Sequence, residues 1–242
     1  MTVCTIMSIE RVSPAARSLL RLQSWLSPLF PTGAYSYSHG LEWAVEAQYV
    51  YDLASLIEWL RADIAHGSIR NEAIFFSVAW RAATQGERAQ LLQLAEVASA
   101  FRGTAEFALE SAQQAAAALA VLRRAWPDPL LDWMANALRE HQLSASVSVV
   151  LGARSATEAI PLGLALPAFL QSYVGNLVTA AVRLIPLGQT AGQLAVAGLE
   201  EAVLSASARA ESGTLEELGS AAFMVDLASM AHETQYTRLF RS

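Results

Sequence analysis

Few side chains in this sequence could do chemistry, and their spacing says which chemistry to test. His39 stands three residues before Glu42, and Glu46 follows one helical turn later. On a helix, that H-x-x-E spacing puts an imidazole and a carboxylate on one face, where they could ligate a metal. The same residues also fit an ordinary helix start, with acidic side chains complementing the N-terminal dipole. The second reading is preferred, because the four histidines, at 39, 66, 141 and 232, show no metal-binding spacing. Asp128 and Asp132 form another pair, spaced to hold magnesium in the manner of all-α isoprenoid enzymes. Asp128 followed by Pro129, however, reads as an N-cap with proline at the first helical position, and no second acidic motif accompanies it. No G-x-S-x-G elbow supports a serine triad.

All 16 basic residues are arginine. Without lysine, neither a P-loop nor a Schiff base can be built. The longest arginine run is Arg123–Arg124 and the net charge is −6, so nucleic acid is not expected as a partner. Cys4, the one cysteine, permits no internal disulfide and no thiolate zinc site. The N-terminus lacks a basic n-region, and Glu10 and Arg11 follow only a short apolar run, so a signal peptide is not expected and a cytoplasmic location is. Charged residues make up 16% of the chain, against about 25% in an average domain. Some of its apolar surface should therefore be covered by other proteins.

Helical periodicity positions these residues nearly everywhere. Leu19, Leu22 and Leu26 make one stripe, and Leu53, Leu56, Ile57 and Leu60 another. Ser55/Glu58 and Thr214/Glu217 have capping-box spacing. Breakers near Pro28–Gly33, Gly86, Gly103, Pro127–Pro129, Gly152–Pro161, Pro186–Gly192 and Ser212–Gly213 divide the chain into about ten helices. The passage "LSASVSVV" (Leu143–Val150) alternates like a strand. A lone strand would lack a partner, and Leu143, Val147, Val150 and Leu151 also fit a helix. Ala159 to Val182 carries no charge over 24 residues, long enough to cross a membrane. Ser172, Asn176, Thr179 and Arg183 nevertheless form a polar stripe there, which predicts a core helix rather than a span, with Gly175 admitting a close neighbour. The expectation is one all-α domain over 1–242, with an N-terminal arm (1–15) and a C-terminal tail (234–242).

Two stretches depart from helical packing. In "SPLFPTGAYSYSHGLEWAVEAQ" (Ser27–Gln48), Pro31 and Gly33 suit a type I turn that would present Tyr35, Tyr37 and His39 outward ahead of a helix from Ser38. In "VDLASMAHETQYTRLFRS", Tyr236, Leu239 and Phe240 alternate with Arg238 and Arg241 beyond the last helical stripe. Aromatic and arginine side chains are the usual interface anchors, so the stretch reads equally as a frayed end with a few packed side chains or as a docking peptide, which would be mobile alone and make few core contacts.

These two stretches, together with "NLVTAAVRLIPLGQTAGQ" (Asn176–Gln193), resemble the urease accessory protein F family. The chain departs from the usual pattern at Gly33-Ala34-Tyr35, where members often have a Gly-Gly pair and phenylalanine, and at Ala231, where a basic residue is usual. The resemblance implies a non-enzymatic all-α protein without a cofactor. Such proteins dimerise, bind accessory protein D (also called H), recruit the GTPase accessory protein G, and act with them on apo-urease so that nickel is inserted. It also implies that the tail residues Tyr236, Arg238, Leu239, Phe240 and Arg241 dock partners, with Tyr35, Tyr37 and His39 read as a neighbouring contact element. A metallochaperone holding nickel itself is the alternative.

Overall fold

A computed structural model describes residues 13–241, so Cys4, most of the N-terminal arm and Ser242 lie outside the described residues. Twelve α-helices run through them: α1 (Pro14–Trp25), α2 (Leu41–Glu46), α3 (Leu53–His66), α4 (Ser68–Gln85), α5 (Arg88–Ala100), α6 (Ala105–Ala125), α7 (Pro129–Glu140), α8 (Val147–Thr157), α9 (Leu162–Leu184), α10 (Gln189–Gly198), α11 (Glu200–Ala210) and α12 (Phe223–His232). Short 3₁₀ turns at Ala34–Ser36 and Leu215–Glu217 complete them. The fold is all-α, and no strand occurs among the described residues.

The core is built around α4. Ile69, Ala73, Ile74, Phe75, Phe76, Ala79 and Ala82 are all buried on it, and burying a side chain the size of Phe76 or Ile74 stabilises the fold by roughly 1.5–3 kcal/mol. Helices α3, α5, α8, α9 and α11 all pack on α4, and α8 packs closest. Gly152 makes that approach possible, because a Cβ there would stand 2.4 Å from the Phe76 carbonyl oxygen. Gly152 therefore lies inside α8 as a packing residue, not at the break its type suggested. Helix α9 carries Pro167 within it and buries Ala165, Leu166, Phe169, Leu170, Val174, Leu177 and Val178. Among the described residues it alone is long and apolar enough to cross a membrane, but this face is packed in the core, as expected.

Several local expectations shift. The α3 capping box is Asp52/Ser55, not Ser55/Glu58, because Asp52 accepts the Ser55 N–H at 2.8 Å. The Thr214/Glu217 box forms, yet it opens only a 3₁₀ turn. Leu19 is exposed, and α1 buries Ser18, Leu22 and Trp25 instead. "LSASVSVV" becomes α8 only from Val147, with Ser146 as its N-cap. Among the described residues, nothing stands within 4 Å of a Cβ built at Gly175, so the close neighbour expected there is not seen. Asp128 caps α7 as expected, accepting the Leu130 N–H at 2.7 Å.

Candidate functional site

The tyrosine-bearing loop is shaped by backbone that few residues tolerate. The Thr32 N–H returns to the Phe30 carbonyl at 2.8 Å across Pro31, a three-residue turn in place of the expected type I turn. Gly33 is left-handed (φ 77°), and so are the successive residues His39 (φ 56°) and Gly40 (φ 73°). Glycine is required at 40 for a second reason. A Cβ there would stand 2.5 Å from the Ser229 nitrogen, so α2 lands almost backbone to backbone on α12.

This geometry corrects the outward-facing hook. The left-handed pair turns the chain before α2, which starts at Leu41 rather than Ser38. Tyr37 is only 5% exposed, and its hydroxyl donates to Gln113 Oε1 at 2.7 Å. His39 is directed at α6, with Nε2 2.7 Å from Glu110 Oε1 and Nδ1 3.1 Å from the Tyr173 hydroxyl. Tyr35 alone points to solvent, 72% exposed, while its carbonyl accepts from Arg183 Nη1 at 3.0 Å. His39 and Glu42 do not share a face either, because His39 lies outside the helix.

Behind His39 lies a buried polar cluster that sequence reasoning missed. Glu72 on α4 pairs with Arg102 and accepts the Ser148 hydroxyl at 2.5 Å; Glu110 accepts from Gln114 Nε2 at 2.6 Å. Asp63, 2% exposed, accepts from the Ser68 hydroxyl at 3.1 Å. Burial pushes the Asp63 carboxyl up, with the His39 charge and the Ser68 hydroxyl only partly offsetting it. Burial would lower His39, but the charge of Glu110 and its hydrogen bond outweigh this and raise it. Burial, reinforced by Glu72 and Glu110, holds the Tyr173 hydroxyl well above its usual range. Arg102 is raised despite burial because Glu72 faces it. The only local signal was a glutamate directly before the largely apolar run "AIFFSVAW".

The tail is laid down on the fold, which corrects the expectation of few core contacts. Glu42 organises it: Oε1 accepts the Leu239 N–H at 2.6 Å, and Oε2 accepts the Phe240 N–H at 2.9 Å. Phe240 is 4% exposed beneath the Arg183 guanidinium, which stands 4.5 Å from the ring centroid. The Arg241 N–H donates to the Ser36 carbonyl at 2.8 Å, and Arg238 Nη1 reaches Glu106 Oε1 at 2.5 Å. Tyr236 stands fully in solvent, Leu239 is more than half exposed and Arg241 is exposed. Tail and loop therefore make one surface. Tyr35, Tyr236, Leu239, Arg238 and Arg241 face outward on it, and Tyr37, His39 and Phe240 form its foundation.

Other charged groups serve the fold. Asp128 also pairs with the buried Arg154 at 3.0 Å, and Asp132 pairs with Arg123 at 2.7 Å, so arginines occupy both aspartates of the supposed magnesium pair. Among the described residues, no three His, Cys, Asp or Glu side chains are grouped to hold a metal ion.

Comparison with known proteins places this chain among relatives. Residues 50–200 match the UreF family. The chain is 47% identical over 225 residues to a urease accessory protein UreF of Rhodopseudomonas palustris (strain BisB5), covering 93% of this chain and 91% of that relative. It is 47% identical over 227 residues to the UreF of Bradyrhizobium diazoefficiens, covering 94% and 93%. It is 46% identical over 225 residues to that of Xanthobacter autotrophicus, covering 93% and 91%.

Proposed function

This chain belongs to the UreF family of urease accessory proteins, and from that premise we propose that it is a non-enzymatic adaptor of urease maturation in the cytoplasm. In this reading it dimerises, binds accessory protein D (H), and with it recruits the GTPase accessory protein G to apo-urease. Nickel is then the cargo of the assembly, not a resident cofactor of this chain.

The observation that carries the reading is the joint surface of loop and tail. Glu42, Arg183 and the Ser36 carbonyl tie two sequence-distant segments together by their backbones and by Phe240. What they leave exposed is Tyr35, Tyr236, Leu239, Arg238 and Arg241. Interfaces are anchored by tyrosine and arginine, and a surface held in place before binding loses less entropy on association. Two of the four histidines, 39 and 232, already engage carboxylates inside the fold, which supports treating nickel as cargo.

The test is capture of accessory proteins D and G and apo-urease by the purified chain, with nickel binding measured by calorimetry alongside. The proposal expects capture without stoichiometric submicromolar nickel binding by the isolated chain. Tight stoichiometric nickel binding without partner capture would favour a metallochaperone instead.

A further inference from the structure

His232 sits where the tail is fastened, and its two ring nitrogens face two different carboxylates. The side chain is completely buried, with Nδ1 2.7 Å from Glu106 Oε2 and Nε2 3.3 Å from Glu42 Oε2. Each carboxylate has a second duty. Glu42 accepts the backbone N–H groups of Leu239 and Phe240, and Glu106 accepts Arg238. Every tail contact on these two glutamates therefore passes through groups that His232 holds in place.

The ring can satisfy both glutamates in one state only. An imidazolium has two N–H donors, whereas a neutral imidazole has one donor and one lone pair. In the neutral state one carboxylate faces a lone pair inside the fold, which is unfavourable for a buried acceptor. The charged groups around the ring come from each element packed on it: Glu42 from α2, Glu106 from α6, and Arg238 from the tail by way of Glu106. Glu233, which follows His232, is turned away to accept the Ala105 N–H at 2.8 Å at the start of α6.

We propose that His232 is a proton-operated clasp for the C-terminal tail: with both nitrogens protonated it holds Glu42 and Glu106 together and the tail stays fastened, and on losing a proton it lets residues 235–241 lift from α2. The clasp deepens the adaptor reading, since it governs how much of the joint surface is presented. It rests on that reading only for its consequence, because the clasp itself is a property of the isolated chain.

The experiment follows hydrogen exchange of the tail amides in the full-length protein from pH 5.5 to 8.5, normalised to the intrinsic exchange rate at each pH. The His232 ring is titrated in parallel by NMR. The proposal expects tail protection to fall by about tenfold, which corresponds to ~1.4 kcal/mol, with a midpoint that coincides with the His232 titration. Amides of α9 should not share that midpoint. His232→Gln, with a single NH₂ group to offer, should show weak tail protection at every pH. If that variant fails to fold, Glu106→Gln serves in its place: it removes one of the two carboxylates the ring bridges, and tail protection should still fall at the pH where the ring titrates. Tail protection independent of pH overturns the clasp, whether His232 never titrates or titrates without effect. Midpoints that separate in Glu106→Gln overturn it too. Partner capture is scored separately, so an intact clasp without capture counts against the adaptor reading alone.

Discussion

Phe240→Ala is the most direct test of how the tail is held. The side chain is 4% exposed, and its burial corresponds to roughly 1.5–3 kcal/mol. The Arg183 guanidinium over the ring adds about 0.5–2 kcal/mol. The residue stands near the chain end, so the emptied space can collapse and no large cavity penalty is added. The N–H bond to Glu42 can survive truncation of the side chain. The expected loss is therefore about 2–5 kcal/mol of tail docking. The tail can lift without unfolding the remaining helices, so most of the loss belongs to a local opening. Hydrogen exchange of a peptide spanning 233–241 should accelerate by at least about thirtyfold, since each 1.4 kcal/mol is a factor of ten. The urea midpoint of the whole fold should drop by less than the full amount. Arg183→Met in a double-mutant cycle with Phe240→Ala isolates the cation–π part, expected at about 0.5–2 kcal/mol. Unchanged tail exchange in Phe240→Ala would refute the packing argument, because the ring would then contribute nothing to docking.

Three further outcomes are expected. Glu110→Gln removes the charge facing His39 and should destabilise by about 3–5 kcal/mol, as breaking a buried pair does, measured by urea unfolding. The His39 pKa is raised in the fold, so its contribution is fully present below the ordinary value of about 6.5 and is lost as pH rises through the raised one; stability measured across that window should slope downward in the wild type and lose that slope in Glu110→Gln. Gly152→Ala places a methyl 2.4 Å from the Phe76 carbonyl oxygen and should cost about 1–3 kcal/mol or more by overpacking, read as a lowered thermal midpoint with helical circular dichroism retained. Tyr35→Ala and Tyr236→Ala, both at exposed side chains, should change stability by less than about 0.5 kcal/mol yet weaken capture of the accessory partners by tenfold or more; unchanged capture in the double variant would remove these tyrosines from the interface.

The sequence by itself determined what depends on neighbours along the chain. Helical period predicted an all-α fold, because i, i+3 and i+4 spacing is visible locally. Asp128-Pro129 announced a helix start, since a cap is made by residues two and three positions away. The absence of lysine removed whole classes of phosphate and Schiff-base chemistry without any structure. The loop and the tail stood out because their aromatic and polar content breaks the helical pattern. Tertiary structure decided where those side chains point. Glu42 reads locally as a first-turn acid, yet it accepts from Leu239, 197 positions away. Tyr37 and His39 look inward because His39 and Gly40 adopt left-handed backbone, and because Gly40 can touch Ser229. Ser148 reaches Glu72 because Gly152 lets α8 close on α4. Periodicity tells which face of a helix is buried. Which carboxylate a distant amide or imidazole will find there is set by how the helices pack, and no local pattern records it.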